Sequence, residues 1–356
     1  MSQISSSSPS SRKSARVTQA EIAAKLGVDQ TTVSACLSNT ARTKKFSPQL
    51  REQILSMAQK MNYRPHFFAT QLRSARPHMM VLAIGTLQDI HAGTIAEAFT
   101  QRAEKLGYRV VVSIFGQNRN GWEALRDIVG PQGIQDICLI TRAAELIPNE
   151  QLQEFLDEGM RVTMISSGHP DRRVMEVRMN EDQAGRMAYE YLHRHGHRNI
   201  WLVTDENANP QGAGARTMAS LAAARDLNAP EPFVIPFGAS IDGEEAYLEI
   251  SRIIKERGIP DAVLAVRDRR AYSVIRAFDA MGLRVGKDVS VMGHHDIWPS
   301  RIINPPLTTI RQPLQRMGSA AASLMVDSMN QESEQEKVVL QFQPELVERE
   351  SVHRKP

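Results

Sequence analysis

The sequence predicts an α/β chain in two parts: a small all-helical N-terminal unit, then a two-lobed body of alternating strands and helices. Three observations predict it. Between Val17 and Arg73 two short helical patterns meet at a glycine, a third follows, and an aromatic-rich segment runs on behind them. From Met79 onward, apolar runs of strand length alternate with amphipathic stretches of helix length, the pattern of parallel strands covered by helices. Charge divides at the same place: residues 1–78 carry twelve basic and three acidic side chains, a net of +9, and the other 31 basic and 37 acidic groups leave −6. A basic head on an acidic body suits a polyanion-binding module joined to a separate soluble domain.

A chain of 356 residues with 42% hydrophobic content is long enough for two or three globular domains. No apolar run approaches the ~18 residues of a spanning helix, so no membrane partner is expected. Residues 1–16 are Ser-rich and lack the apolar stretch of an export signal; they are expected to form a disordered tail. Cys36 and Cys138 fall within predicted regular structure, which fits reduced, buried thiols. The expected location is cytoplasmic and nucleoid-associated.

The head is expected over 17–62. Thr18 with Glu21 three residues later forms a capping-box pattern, so a helix should start near Gln19. Ile22, Ala23 and Leu26 give it one apolar face, and Gly27 ends it, where a left-handed backbone costs least. Asp29 is placed to cap a second helix in which Val33, Cys36 and Leu37 face inward and Gln30, Thr31, Ser34 and Ala35 face out. Ser47-Pro48 offers a cap and a first-turn proline for a third, with Leu50, Ile54, Leu55, Ala58 and Met61 as its core face.

The spacing of Ile22, Ala23, Leu26, Gly27, Val28, Val33 and Cys36, within the pattern T-x-x-x-[IV]-A-x-x-x-G-V-[SD]-x-x-T-V-S, resembles the helix-turn-helix of the LacI/GalR (lactose-repressor) family. The resemblance implies that the helix after Asp29 lies in the major groove of duplex DNA. Gln30 and Thr31 would then reach base edges, while Thr18, Thr32, Ser34 and Ser38 would bond phosphates. Ala35 stands where many members have Arg, so base preference cannot be transferred from relatives. The loop 39–46 is longer and more basic than usual; Lys44 and Lys45 are read as phosphate contacts. Residues 63–78, beginning Tyr63-Arg64-Pro65-His66, resemble the family hinge. By that match His66, Ala69 and Leu72 would enter the minor groove, with Leu72 pushed between base steps.

In the body, strands are expected at Met80–Ile84, Tyr108–Ile114, Asp136–Ile140 and Arg161–Ser166, with helices at Thr94–Leu106, Trp122–Val129 and Asn149–Glu158 between them. A second series follows. Its helices are Asp182–His195, Arg216–Asp226, Glu244–Arg257 and Ala271–Met281; its strands are Ile200–Thr204, Phe233–Pro236, Ala262–Val266 and Ser290–Gly293. Two such series imply two lobes with a ligand cleft between the carboxyl ends of their strands.

Gly196-His197-Arg198-Asn199-Ile200, Pro260-Asp261-Ala262-Val263, Asp288–Gly293 and Asn304–Pro313 match landmarks of the same family in order, so the resemblance covers roughly 17–345. It implies a periplasmic-binding-protein-like effector and dimerisation domain over 79–356. Its first lobe would take about 79–178 and 304–330, and its second about 179–303 and 331–356. Effector-site positions carried over by the match are Arg216, Arg267, Asp268, His295, Asp296 and Trp298. Arg267 and His295 replace the residues usual at their positions, which makes the site less acidic. That favours a sugar of unusual hydroxyl pattern or one carrying an anionic group.

The implied protein is a homodimeric regulator, a repressor, that binds a pseudo-palindromic operator under control of a carbohydrate-like effector. An activator or dual regulator with a non-sugar effector is the alternative. An enzyme or plain binding protein on the same fold is more remote: no phosphate-binding Gly-Lys loop, nucleophile elbow or dinucleotide glycine triplet is present. No cofactor or metal is expected, since His193, His195 and His197 alternate along the chain and do not face one way on a helix.

Overall fold

A computed structural model describes residues 17–38, 46–63, 78–114, 121–140, 147–165, 169–205, 213–237, 244–329 and 338–355. The chain divides into two compact units, 1–77 and 78–356.

In the first unit α1 (Gln19–Leu26) begins with the box expected of Thr18 and Glu21. Thr18 Oγ1 accepts from the Glu21 N–H, and the Glu21 carboxylate accepts from the Thr18 N–H at 2.7 Å. Gly27 closes the helix at φ +63°, a conformation that glycine alone adopts at little cost. Asp29 Oδ1 then accepts from both the N–H and the hydroxyl of Thr31, at 2.7 and 2.6 Å, at the start of α2 (Gln30–Ser38). Ser47 Oγ accepts from the Leu50 N–H and Pro48 opens α3 (Pro48–Lys60). Ile22, Ala23, Val33, Cys36, Ile54 and Ala58 form the buried centre. Leu55 departs from expectation: it is 45% exposed. It follows the buried Ile54 by one residue, about 100° around the helix, and Met57, three residues on from Ile54, packs on the core instead.

The second unit contains two sheets. The first is built from β1 (Met79–Ile84), α4 (Ile90–Lys105), β2 (Arg109–Ile114), α5 (Gly121–Gln132), β3 (Asp136–Ile140), α6 (Asn149–Asp157), β4 (Arg161–Ile165) and β5 (Met175–Met179). The second contains α7 (Glu181–Arg194), β6 (Ile200–Asp205), α8 (Ala213–Asp226), β7 (Phe233–Phe237), α9 (Glu244–Arg257), β8 (Ala262–Ala265), α10 (Asp268–Ala280) and β9 (Ser290–His295). A 3₁₀ turn at Trp298–Arg301, β10 (Thr308–Arg311), α11 (Leu314–Met329), β11 (Val339–Phe342) and β12 (Glu345–Val347) complete the described elements.

The strand orders are β11-β5-β4-β3-β1-β2 and β12-β10-β9-β8-β6-β7. All pairs are parallel except β10 with β12. The central strands β1, β3 and β8 are buried on both faces, so they read as near-continuous apolar runs. Met79, Val81 and Ala83 of β1 enter one buried cluster, while Met80, Leu82 and Ile84 enter another. Trp201 and Val203 divide from Ile200 and Leu202 in the same way on β6.

The chain passes between lobes after Met179, at Gln312-Pro313 and at residues 343–344. Two segments differ from the lobe boundaries expected of the sequence. Within 304–330, strand β10 pairs with β9 in the second sheet, and only α11 returns to pack on α4. Within 331–356, strand β11 pairs with β5 in the first sheet. The cause is that each return segment contributes a strand to one lobe before crossing to the other. Strand β5, also not anticipated, supplies the partner for β11. The crossings lie side by side: the Asn180 N–H donates to Phe342 O at 2.9 Å, and Asn180 Nδ2 to Gln343 Oε1 at 3.1 Å.

Candidate functional site

Two surfaces carry the candidate residues. On the head, Gln30 and Thr31 are exposed in the first turn of α2, Thr32 and Ser34 are half-buried, and Ser38 ends the helix. The Asp29 carboxylate can only accept, so Thr31 Oγ1 donates to it; the hydroxyl keeps its lone pairs and methyl for any outside partner. The hydrogen bonds from Thr31 hold the Asp29 carboxyl below its usual range. Thr18 is exposed, but its hydroxyl belongs to the capping box. Lys44, Lys45, His66, Ala69 and Leu72 lie outside the described residues.

In the second unit the carboxyl edges of the two sheets face one another. His91, in the first turn of α4 after β1, lies 4.3 Å ring to ring from His295 at the end of β9. Asp89 caps α4 and bonds the His91 N–H. The helix therefore starts four residues earlier than its apolar pattern implies, which brings His91 to the cleft.

Arg216, in the first turn of α8, is buried here. Its Nε is 2.9 Å from Glu181 Oε2; its terminal nitrogen donates to Val266 O at 2.6 Å and approaches His295 Nε2 at 3.3 Å. Glu181 Oε1 accepts from Gln312 Nε2 at 3.1 Å, and Gln312 Oε1 accepts from His91 Nε2 at 2.7 Å. Gln312 sits at one crossing and Glu181 directly follows another, so a single polar chain runs from Arg216 through both crossings to the first lobe. His294 Nε2 stands 3.7 Å from Glu181 Oε2. Arg267, half-exposed after β8, binds Asp205 Oδ2 at 2.6 Å, and Arg270 approaches Asp205 Oδ1 at 3.3 Å.

Burial dominates the protonation states. It pushes His91, His294 and His295 below the ordinary histidine range, so all three rings are neutral near pH 7. It pushes the Glu181 carboxyl up against the opposing pull of Arg216 and Arg267. At Asp205 burial also raises the carboxyl, but Arg267 and Arg270 together reverse it and leave it below its usual range.

The remaining carried-over residues are placed differently. Asp268 is 0% exposed and lies behind the cleft. Its Oδ2 accepts from the Ile297 N–H at 3.0 Å and Ser300 Oγ at 2.7 Å, and its Oδ1 accepts from Thr309 Oγ1 at 2.7 Å. The Asp296 carboxylate is enclosed by Arg349, Arg311 and Arg301 at 2.5, 2.7 and 3.5 Å. Both carboxylates brace the turn after β9, where His295 (φ +114°) and Asp296 (φ +55°) occupy backbone regions that side chains disfavour. Trp298 is 59% exposed in the 3₁₀ turn.

Thus Arg216, Arg267 and His295 come together, while Asp268, Asp296 and Trp298 do not join them. Glu181, Gln312, His91, His294, Asp205 and Arg270 complete the cluster, and of these only His294, beside His295, stood out in the sequence. Their shared sequence signal is position: Asp205 and His294 lie at the carboxyl ends of strands, and the others follow such ends. Among the described residues no group of three or more His, Cys, Asp or Glu side chains is disposed to hold a metal ion.

Comparisons with known proteins agree with this architecture. Residues 189–352 match the periplasmic binding protein-like domain model. The chain is 25% identical over 340 residues to the HTH-type transcriptional repressor PurR of Pasteurella multocida, covering 93% of this chain and 97% of that one. It is also 25% identical to the HTH-type transcriptional regulator DegA of Bacillus subtilis, covering 93% and 96%. Among solved structures, the lac repressor dimer bound to operator and the anti-inducer ONPF superimposes with a TM-score of 0.82 at 21% identity, covering 95% of this chain and 99% of that one. The regulator CelR in complex with cellobiose gives 0.69 at 23% identity, covering 94% and 100%. A helix-turn-helix head, two lobes joined by three crossings and similarity over nearly the full length make the chain similar to HTH-type transcriptional regulators that carry a periplasmic binding protein-like domain, with the fold of the lac repressor.

Proposed function

We propose that the protein is a sequence-specific DNA-binding transcriptional regulator, a repressor, whose operator affinity is set by a small molecule bound between the lobes. The observation that carries it is the first turn of α2. Asp29 fixes that turn, and Gln30 and Thr31 project from it into solvent in a basic head, the arrangement that a major-groove reader requires. The relatives support this reading, being named as transcriptional repressors and regulators. The lac repressor dimer bound to operator supports a dimer on two half-sites. CelR with cellobiose and a LacI family regulator of Enterococcus faecium with bound ribose support a small-molecule effector.

Arg216, Arg267 and His295 would contact the effector, with Glu181, Gln312 and His91 holding Arg216 to both crossings. A ligand that draws Arg216 away from Glu181 disturbs the contacts that set the angle between lobes, which couples the effector to DNA affinity. Gln30, Thr31, Thr32, Ser34 and Ser38 would contact DNA, with Lys44 and Lys45 adding phosphate contacts and Leu72 wedging the minor groove.

The test is selection of duplex fragments from genomic DNA by the full-length protein, followed by binding titrations over a range of salt. Affinity for the selected palindrome should fall with a log–log slope of about −0.9 per phosphate neutralised. Gln30→Ala should lower affinity for it about tenfold, the lower range of a bidentate base contact, and affinity for unrelated duplex far less. Recovery of no common sequence would end this reading.

A further inference from the structure

We propose that Asp29 is a positioning residue that makes the Thr31 hydroxyl an acceptor, so that the base facing this hydroxyl in the major groove is adenine or cytosine. The inference rests on the reading of α2 as the helix that enters that groove, and names the bases taken there.

A threonine hydroxyl can ordinarily donate or accept, and so can meet either kind of base edge. Two bonds remove that freedom here. Asp29 Oδ1 accepts from the Thr31 N–H at 2.7 Å and from Thr31 Oγ1 at 2.6 Å. The aspartate is itself fixed, because its carbonyl oxygen accepts the first bonds of the helix, from the N–H groups of Thr32 and Val33 at 3.0 and 3.2 Å. It cannot turn away without loosening the cap. The hydroxyl proton is therefore directed back at Asp29. The bonds from Thr31 also lower the Asp29 carboxyl, so it is ionised at neutral pH. What Thr31 leaves for an outside partner is oxygen lone pairs and a methyl group.

Base edges differ in what they offer such a group. In the major groove adenine and cytosine each present an amino group, whereas guanine and thymine present no donor. An amino proton can enter a lone pair of Thr31. A guanine or thymine edge would need the proton that Asp29 holds. Competition for that proton is one-sided, because a hydrogen bond to a carboxylate is about twice as strong as one to a neutral acceptor. Asp29, Gln30 and Thr31 are all exposed, so the pair lies where a base can reach it. One turn on from Thr31, on the same face, Ala35 has no side-chain donor to reverse the preference.

The experiment selects randomised duplexes with the full-length parent, Thr31→Val, Asp29→Gly and Asp29→Asn, then titrates each protein against all four bases at the affected position. Thr31→Val, which keeps the shape and loses the hydroxyl, marks that position as the one where preference relaxes. There the parent should favour adenine or cytosine over guanine and thymine about fivefold, the size of one hydrogen bond. Asp29→Gly, nearly as good a cap, frees the proton and should bring guanine to within about twofold. Asp29→Asn, whose carbonyl oxygen still accepts without the charge, should fall between. Loss of helix structure would instead lower affinity for all four bases alike. Guanine at that position in the parent would overturn the inference, as would thymine, which would mean that the groove meets the methyl group. Selections unchanged by Thr31→Val or by Asp29→Gly would overturn it too. In each case a palindrome selected by the parent leaves the DNA-binding reading standing. Recovery of no shared sequence by the parent would overturn both.

Discussion

A β-carbon on Gly293 would stand 2.3 Å from Oδ1 of Asp268, so the glycine is what lets the buried carboxylate lie against β9. It would also meet Leu307 Cδ2 at 2.6 Å. The carboxylate has no room to retreat, because Ile297, Ser300 and Thr309 hold it in place. Gly293→Ala should therefore destabilise the second unit by about 1–3 kcal/mol, as overpacking does. A urea midpoint unchanged from the parent would show that the carboxylate can move.

Asp268 itself should impose a pH dependence. Burial pushes its carboxyl up to about 6, against the hydrogen bonds of Thr309 and Ser300. Between its ordinary value of 3.8 and about 6, the folded state holds a proton that the unfolded state has lost. Stability from this group is thus complete below the lower value and declines as pH rises through the upper one. The shift corresponds to ~3 kcal/mol. Urea unfolding of the parent and Asp268→Asn between pH 4 and 7 measures it: the parent's stability should fall relative to the variant's as pH rises. Parallel curves would refute the assignment.

The contrast between Asp268 and Arg216 explains how far the sequence could be read. Apolar runs and caps depend on neighbours a few residues apart, so the head's three helices and most strands were legible from periodicity. The exceptions depend on distant partners. Strand β10 becomes a second-sheet strand because Thr308–Arg311 pairs with Met292–His295, and β12 spans only Glu345–Val347, too short to carry an alternation. Arg216 could be placed at the cleft by the family match. Whether Asp268 and Asp296 faced the cleft could not be read. Their orientation is set by Thr309, 41 residues away, and by Arg349, 53 residues away. His91 was hidden for a different reason: the apolar pattern of α4 begins after the cap that positions it.

In the head, Thr18 has two possible duties, and substitution separates them. Its hydroxyl already bonds Glu21, so Thr18→Ala should cost about 1 kcal/mol of α1 stability as an N-cap loss. Amide exchange in α1 of the full-length chain should accelerate accordingly, with α11 protection unchanged. Thr18→Ser, which keeps the oxygen, should restore the protection. If α1 exchange stays at the parent rate in Thr18→Ala, the capping box contributes nothing and phosphate contact remains the only duty.

Glu181 and Arg216 provide the sharpest test of the cleft. Both are buried, 2.9 Å apart, and Arg216 has further partners in Val266 O and His295. Removing the carboxylate takes away the charge paired with a buried guanidinium in a site of low dielectric. Glu181→Ala should accordingly cost about 3–5 kcal/mol. Arg216→Ala should also destabilise, since it leaves the Glu181 carboxylate with only the neutral Gln312 donor. Glu181→Ala combined with Arg216→Ala removes both charges, so its cost should be well below the sum of the two. Urea unfolding of the parent, both single variants and the double variant yields the coupling energy. Strict additivity would mean that the pair is solvated and that the two charges do not stabilise one another.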